Sequence, residues 1–303
     1  MDRCKGSRTA LVTGATGYIG SRLTQRLFDE GWNVHVLFRP ASDRSVLRDP
    51  SGHLTVHIFE GSTDELIRIM AAIRPAVVFH LASLFLAQHQ SRDVEPLIRS
   101  NVLFSTQLVE AMAVNGLQRL VNTGTSWQHY ENKEYSPVCL YAATKQAFKA
   151  ILQYYTETSS LKAITLKLFD TYGPDDPRQK LFTMLRKIAR DQTPLAMSPG
   201  EQMIDLVYID DVLDAFIIAA DLLEHASVPE HGEYAVSSGA VIKLKDLVAL
   251  YSRIIDRPLP ITWSGRPYRP REVMTPWSGG SPLPGWRPKI KLEEGIMRME
   301  RLS

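Results

Sequence analysis

The chain has 303 residues, 44% of them apolar and 22% charged, with a formal net charge of +2. That length supports one large or two modest domains with a sizeable core, and the near balance of charge argues against nucleic acid or an anionic membrane surface as a partner. Two cysteines, Cys4 and Cys139, do not make a disulfide framework, no apolar run reaches the roughly 18 residues needed to span a bilayer, and the polar start lacks a secretory core, so the expectation is a cytoplasmic protein.

Thr9–Thr13 is a short apolar run followed at once by a glycine-rich turn. A helical pattern runs over residues 22–30 and stops at Gly31, a residue suited to a helix C-terminus. Residues 34–38 and 54–59 read as strands, 64–73 as a helix and 76–80 as a nearly continuous apolar strand. Residues 101–114 are expected to be helical, 119–123 a strand, 141–156 a helix and 163–169 a strand. Strands without alternation, separated by helix-length segments, point to a parallel sheet covered on both faces, the doubly wound Rossmann-type α/β fold.

After Tyr172-Gly173-Pro174 the texture changes. Residues 181–191 look helical, 206–209 return to strand, and Asp210 or Asp211 is placed to cap a helix over 212–224. The tail from Arg257 is rich in proline, arginine and tryptophan. The expected division is therefore a dinucleotide-binding domain over 1–173 and 206–228, with a smaller C-terminal α/β lobe over 174–205 and 229–303. The cleft between them is the expected ligand site.

The turn TGATGYIG (residues 13–20) places Gly14, Gly17 and Gly20 three apart between strand and helix. A pyrophosphate needs such glycines for a tight turn, for close backbone approach and for helix–strand packing, with the free N–H groups of the helix start facing the phosphates. NAD binding calls for an acidic residue at the end of the second strand, about 20 residues past the turn. Phe38 and Arg39 stand there instead, with Ser42 close behind. A guanidinium attracts a 2′-phosphate where a carboxylate repels it, so NADP(H) is the expected cofactor.

Tyr141 and Lys145, in YAATK, are four apart and share one helix face. A phenol titrating near 10 is a poor acid–base group at neutral pH, and a nearby ammonium is expected to lower it. The tyrosine can then pass a proton to or from a carbonyl or alcohol oxygen as hydride moves. Upstream, Thr125 offers a hydroxyl to the same oxygen, with Ser126 beside it.

These segments together resemble the extended short-chain dehydrogenase/reductase family over nearly the whole chain. The matching motifs are TGATGYIG (13–20), HLAS (80–83), NTGTS (122–126), YAATK (141–145), LFDTYGP (168–174), VYIDDV (207–212) and GWRPKIKLEEGI (285–296). The resemblance implies catalysis by Tyr141, Lys145 and Thr125. It implies cofactor contacts from Gly14, Thr16, Gly17, Tyr18 and Ile19 in the turn, and from Arg39, Ser42 and Ser62 at the adenosine end. Leu81, Ala82, Ser83, Asn101, Thr123 and Phe169, with Tyr141 and Lys145, complete the expected cofactor set. Ser126, Asp170, Phe182, Arg269 and Arg271 are the expected substrate contacts. A homodimer through helices 101–114 and 141–156 is also implied.

Departures from the family's patterns narrow the reaction. The nucleotide-sugar 4,6-dehydratases follow the active-site threonine with an Asp-Glu pair, whereas Thr125 is followed by Ser126-Trp127. Epimerases retain NAD, which Phe38-Arg39 disfavours. The remaining expectation is NADPH-dependent reduction of the 4-keto group of a CDP- or dTDP-linked 4-keto-deoxyhexose, as in reductases of the abequose and paratose synthase type. A 4-epimerase with retained NAD and a non-enzymatic NADP(H)-sensing protein are the alternatives. Ile204 stands where the family commonly has a phosphate-binding Arg, which Arg269 or Arg271 could replace, and Asp170 stands where many members carry Asn. His80 is expected to be structural. No metal site is expected, and Trp263, Trp277 and Trp286 are expected to pack the smaller lobe.

Overall fold

A computed structural model describes residues 8–43, 47, 54–225 and 229–301. Cys4 lies outside them. In chain order, β1 (Thr9–Thr13) leads to α1 (Tyr18–Asp29), β2 (Asn33–Phe38), β3 (Leu54–Ile58), α2 (Thr63–Ile73) and β4 (Val77–His80). Then come α3 (Val94–Ile98), a π-helical turn (Arg99–Leu103), α4 (Phe104–Val114), β5 (Arg119–Thr125), α5 (Leu140–Thr158) and β6 (Lys162–Leu168). β7 (Asp170–Tyr172), α6 (Leu181–Asp191), β8 (Leu195–Ala196), β9 (Met203–Tyr208) and α7 (Ile209–His225) follow. The last elements are β10 (His231–Val236), β11 (Val241–Lys243), α8 (Leu244–Ile254), β12 (Ile261–Thr262) and α9 (Leu292–Arg301).

The chain divides into two compact units, the first formed by residues 1–125, 139–167 and 213–234 and the second by 126–138, 168–212 and 235–303. The first contains the doubly wound fold. Its seven-stranded parallel sheet runs β10-β6-β5-β4-β1-β2-β3. β1 sits between β2 and β4, with Val12 opposite Val36 and Phe79, so both faces of β1 are buried and its run needs no alternation. On one face Leu11, Leu66, Met70, Leu108, Met112, Phe148 and Leu152 form one core cluster beneath α2, α4 and α5. On the other, Phe79 meets Trp32 and Phe216 edge-on. Burying side chains of this size stabilises by about 1.5–3 kcal/mol each, which is what holds helices to both faces.

In the second unit β9 pairs parallel with β7 and antiparallel with β11, and β8 pairs with β12. Trp286 is buried and its Nε1–H donates to the Asp211 carbonyl, Trp277 stacks on His129 at 4.0 Å, and Trp263 covers Gly200. All three indoles thus pack within this unit.

Several sequence expectations move. Residues 126–138, 168–173 and 206–212 belong to the second unit, and 229–234 to the first, where β10 extends the parallel sheet beyond β6. The expected helix over 101–114 is a π-helical turn followed by α4, with α3 before it. Asp210 and Asp211 lie inside the first turn of α7 rather than capping it. The Asp211 carboxylate accepts from the backbone N–H of Lys289 and Ile290, at 3.0 Å each. A distant loop that needs acceptors won over the local cap.

Candidate active site

The glycine turn is built around contacts that only glycine permits. Gly14 has φ +73°, and a Cβ on it would lie 2.5 Å from the Ala82 nitrogen. A Cβ on Gly20 would lie 2.1 Å from the Gly14 carbonyl oxygen. Close packing of the turn on residues 81 and 82 is therefore possible only without side chains. Gly17 caps α1 with no side-chain acceptor, and the first turn carries no acidic residue. The helix start thus offers N–H groups and a positive dipole end to an anion, which fits a dinucleotide's pyrophosphate. Thr16 and Ile19 are half-buried, and Tyr18 is buried.

Arg39 is exposed just beyond β2; its N–H donates to the Ser42 hydroxyl at 3.1 Å, and its carbonyl accepts from the Ser42 N–H. Ser42 therefore shapes the turn that presents Arg39. Ser62 is exposed, and its hydroxyl accepts from the Glu65 N–H as the N-cap of α2.

His80, at the end of β4, is wholly buried in a chain of hydrogen bonds whose direction can be read. Ala82 N–H donates to the Thr13 hydroxyl, whose own proton is available to His80 Nδ1 at 2.8 Å when the ring is neutral. At the other side Ser105 gives its proton to the Asn101 carbonyl, so His80 Nε2 must be the donor to Ser105, also at 2.8 Å. One acceptor and one donor nitrogen describe a neutral ring. Burial, helped by the charge of Lys145, pushes its pKa down to about 3. His80 ties the glycine turn to the π-helical turn, as expected of a structural residue.

Tyr141 and Lys145 are both buried on α5, with the ammonium 5.9 Å from the phenol ring centroid. Their expected electrostatics needs correction. Burial, reinforced by the neighbouring Cys139, pushes the Tyr141 phenol above its ordinary value, and the cation does not reverse this. Burial likewise pushes Lys145 down to about 8. The cost of charging each group out of water dominates both shifts.

Asn101, 1% exposed, organises what faces the phenol. Its Oδ1 accepts from the Leu84 N–H at 2.7 Å and from the Ser83 hydroxyl at 3.1 Å. Its Nδ2 donates to the Leu84 carbonyl and to the Thr144 hydroxyl, which donates onward to the Tyr141 carbonyl. Ser83 opposes the upward push on the Tyr141 phenol, and Phe85 meets its ring edge-on at 4.9 Å. Sequence reasoning missed Thr144 and Phe85, because no motif spacing signals a contact between a loop after β4 and the middle of α5. Thr123 and Thr125 are buried on β5, with Thr123 donating to the His80 carbonyl.

The remaining expected contacts belong to the second unit, as does Ser126, buried in a short turn after β5. Phe169 lies parallel to Trp277, and Asp170 accepts from Lys180 at 3.3 Å. Phe182 is buried between Tyr172 and Tyr251, as a core residue of that unit. Arg269 is paired with Glu272 through two nitrogens at 2.8 and 3.0 Å. Arg271 reaches Ser136 at 2.7 Å and lies over the Tyr130 ring. Among the described residues, one exposed group on α7, Asp221, Glu224 and His225, brings candidate metal-ligating atoms together, and Arg8 pairs with both carboxylates.

A family model described as the NAD dependent epimerase/dehydratase family matches residues 10–235. The chain belongs to this family. Its members are NAD(P)-dependent oxidoreductases and epimerases of the extended short-chain dehydrogenase type, which makes this epimerase/dehydratase-family chain an enzyme rather than a sensing module. CDP-abequose synthase of Salmonella muenchen is 24% identical over 296 residues, covering 97% of each chain. UDP-glucose 4-epimerase of Mycolicibacterium smegmatis is 25% identical, over 95% of this chain and 96% of that one. Among solved structures, the Thermus thermophilus UDP-glucose 4-epimerase complex with NAD superposes with a TM-score of 0.79 at 25% identity, covering 97% and 98% of the two chains.

Proposed function

We propose that the enzyme reduces the 4-keto group of a CDP- or dTDP-linked 4-keto-deoxyhexose with NADPH. The observation that carries this reading is the buried pair of Tyr141 and Lys145 one turn apart on α5, in the same unit as a glycine turn suited to a pyrophosphate. Full-length similarity to CDP-abequose synthases supports the substrate class. Phe38 and the exposed Arg39, where a carboxylate would serve NAD, support NADPH.

Gly14–Gly20 would hold the pyrophosphate and Arg39 the 2′-phosphate. Lys145 would hold the nicotinamide ribose. When bound, NADPH supplies the hydride. Tyr141, kept protonated by its burial, gives its O–H proton to the carbonyl oxygen, so the ketone becomes a secondary alcohol and a phenolate remains until solvent reprotonates it. Thr125 donates a second hydrogen bond to the same oxygen. The α4 and α5 helices would form a homodimer interface, for which the exposed Val114 and Tyr154 provide apolar surface.

The purified protein should oxidise NADPH when given a CDP- or dTDP-4-keto-6-deoxyhexose, and Tyr141→Phe should lower the rate by ~10²–10⁴-fold while leaving NADPH binding intact. Unchanged absorbance at 340 nm with all such sugars would overturn the reading. The epimerase relatives favour one second reading, a 4-epimerase. In that case the protein copurifies with NAD and interconverts 4-hydroxy epimers without added NADPH.

A further inference from the structure

Phe85 is 45% exposed and meets the Tyr141 phenol edge-on, with the ring centroids 4.9 Å apart and the planes 79° from parallel. An exposed phenylalanine is ordinary by itself, since much of any protein surface is apolar. This one is held in place. After β4 the chain runs through residues 81–86 without helix or strand. Asn101, buried in the π-helical turn, clamps that loop by bonding both the N–H and the carbonyl of Leu84, at 2.7 and 3.0 Å. The same amide donates at 2.9 Å to Thr144 on α5, the helix that carries Tyr141. One buried side chain thus fixes loop and helix together, and the two rings with them.

The clamp also engages the polar groups beside the ring. The Leu84 N–H and carbonyl are both bonded to Asn101, and the Ser83 hydroxyl donates to Asn101 Oδ1 at 3.1 Å. Next to the phenol the loop therefore presents a phenyl surface whose nearest chain neighbours already have their hydrogen bonds.

We propose that Phe85 determines substrate specificity: its ring takes a carbon beside the reacting ketone that carries no hydroxyl, a ring methylene or a methyl group, and disfavours the hydroxylated sugar. This rests on the ketoreductase reading above. To receive the Tyr141 proton, a ketone oxygen must come within about 2.7 Å of the phenol oxygen, which brings the carbons flanking the ketone alongside the neighbouring ring. A methylene or methyl group there exchanges water for phenyl contact. A hydroxyl there gives up a hydrogen bond to water and finds no partner. An apolar wall discriminates against one added hydroxyl by about 10–100-fold.

The test uses matched pairs of CDP- and dTDP-4-ketohexoses that differ by one hydroxyl, at C3 in one pair and at C6 in the other. The pair that responds identifies the carbon that meets the ring. In that pair the unaltered protein, given NADPH, should reduce the deoxy member with a kcat/KM about 10–100-fold higher. Phe85→Asn should narrow the ratio to within about threefold, by lowering the deoxy member and raising the hydroxylated one. Phe85→Leu, still apolar, should keep the ratio, and NADPH affinity should be unchanged in both variants. Equal kcat/KM within both pairs for the unaltered protein would overturn the proposal. So would an equal loss on both members in Phe85→Asn, which would make the ring a support for Tyr141 alone, or weakened NADPH binding with the ratio intact, which would make it a cofactor contact. If no ketosugar is reduced, the ketoreductase reading fails. Calorimetric binding of the matching 4-alcohols to the NADP⁺-loaded protein then reads the same ratio as affinities, and equal or undetectable binding within both pairs overturns the role of Phe85.

Discussion

Lys145 carries a charge that the fold does not reward. Its pKa falls from 10.5 to about 8 through burial alone, so at pH 7 the folded protein holds a buried ammonium at a cost of ~3 kcal/mol relative to the unfolded chain. Below pH 8 both states bind this proton and the cost is constant. Between pH 8 and 10.5 the unfolded state binds more protons, so stability from this group rises with pH and the cost vanishes. Lys145→Met, similar in volume and uncharged, should thus be more stable than the parent by up to ~3 kcal/mol at pH 7. The advantage should shrink toward zero by pH 10.5, as chemical denaturation at several pH values will show, and turnover should be lost throughout. A destabilised Lys145→Met at pH 7 would mean that the ammonium's contacts outweigh its desolvation.

At the scale of elements, the turn between β1 and α1 depends on backbone packed against backbone. Gly20→Ala would put a methyl group 2.1 Å from the Gly14 carbonyl oxygen, a clash no rotamer relieves. It should cost about 3 kcal/mol or more and abolish dinucleotide binding, measured by thermal unfolding and by quenching of cofactor fluorescence. Gly17→Ala, with 3.3 Å to the same atom, should be milder. The turn was legible in sequence because three glycines between a strand and a helix have one common reason to be there. The π-helical turn was not legible: its residues Arg99–Leu103 fit an ordinary helix, and only the hydrogen bonds of Asn101 to the loop after β4 account for the widened backbone. β10 escaped for the opposite reason. HGEYAV is short and polar, and it becomes a sheet strand only because β6 offers an edge to pair with.

For the whole molecule, the prediction concerns association. Val114 is 58% and Tyr154 61% exposed on α4 and α5, apolar surface that a second copy would cover. Tyr154→Glu should shift the protein from dimer to monomer in sedimentation velocity while leaving its circular dichroism unchanged. A protein monomeric without the substitution would remove the proposed interface. Among the described residues, no helix is long and apolar enough to cross a membrane.

The sequence by itself determined the doubly wound sheet, the dinucleotide turn and the Tyr141–Lys145 pair, because each is written in a local pattern: apolar runs, glycine spacing, one helical turn. Tertiary structure alone decided the state of those groups. Whether Tyr141 is pushed up or down depends on how much water its surroundings exclude, and that is a sum over β4, the loop after it and α5. Likewise Asp211 accepts from residues nearly 80 positions away, and His80 is neutral because the fold buries it beside Lys145, with Thr13 and Ser105 meeting it from either side. Proximity in space, which spacing along the chain does not encode, sets hydrogen-bond direction and desolvation.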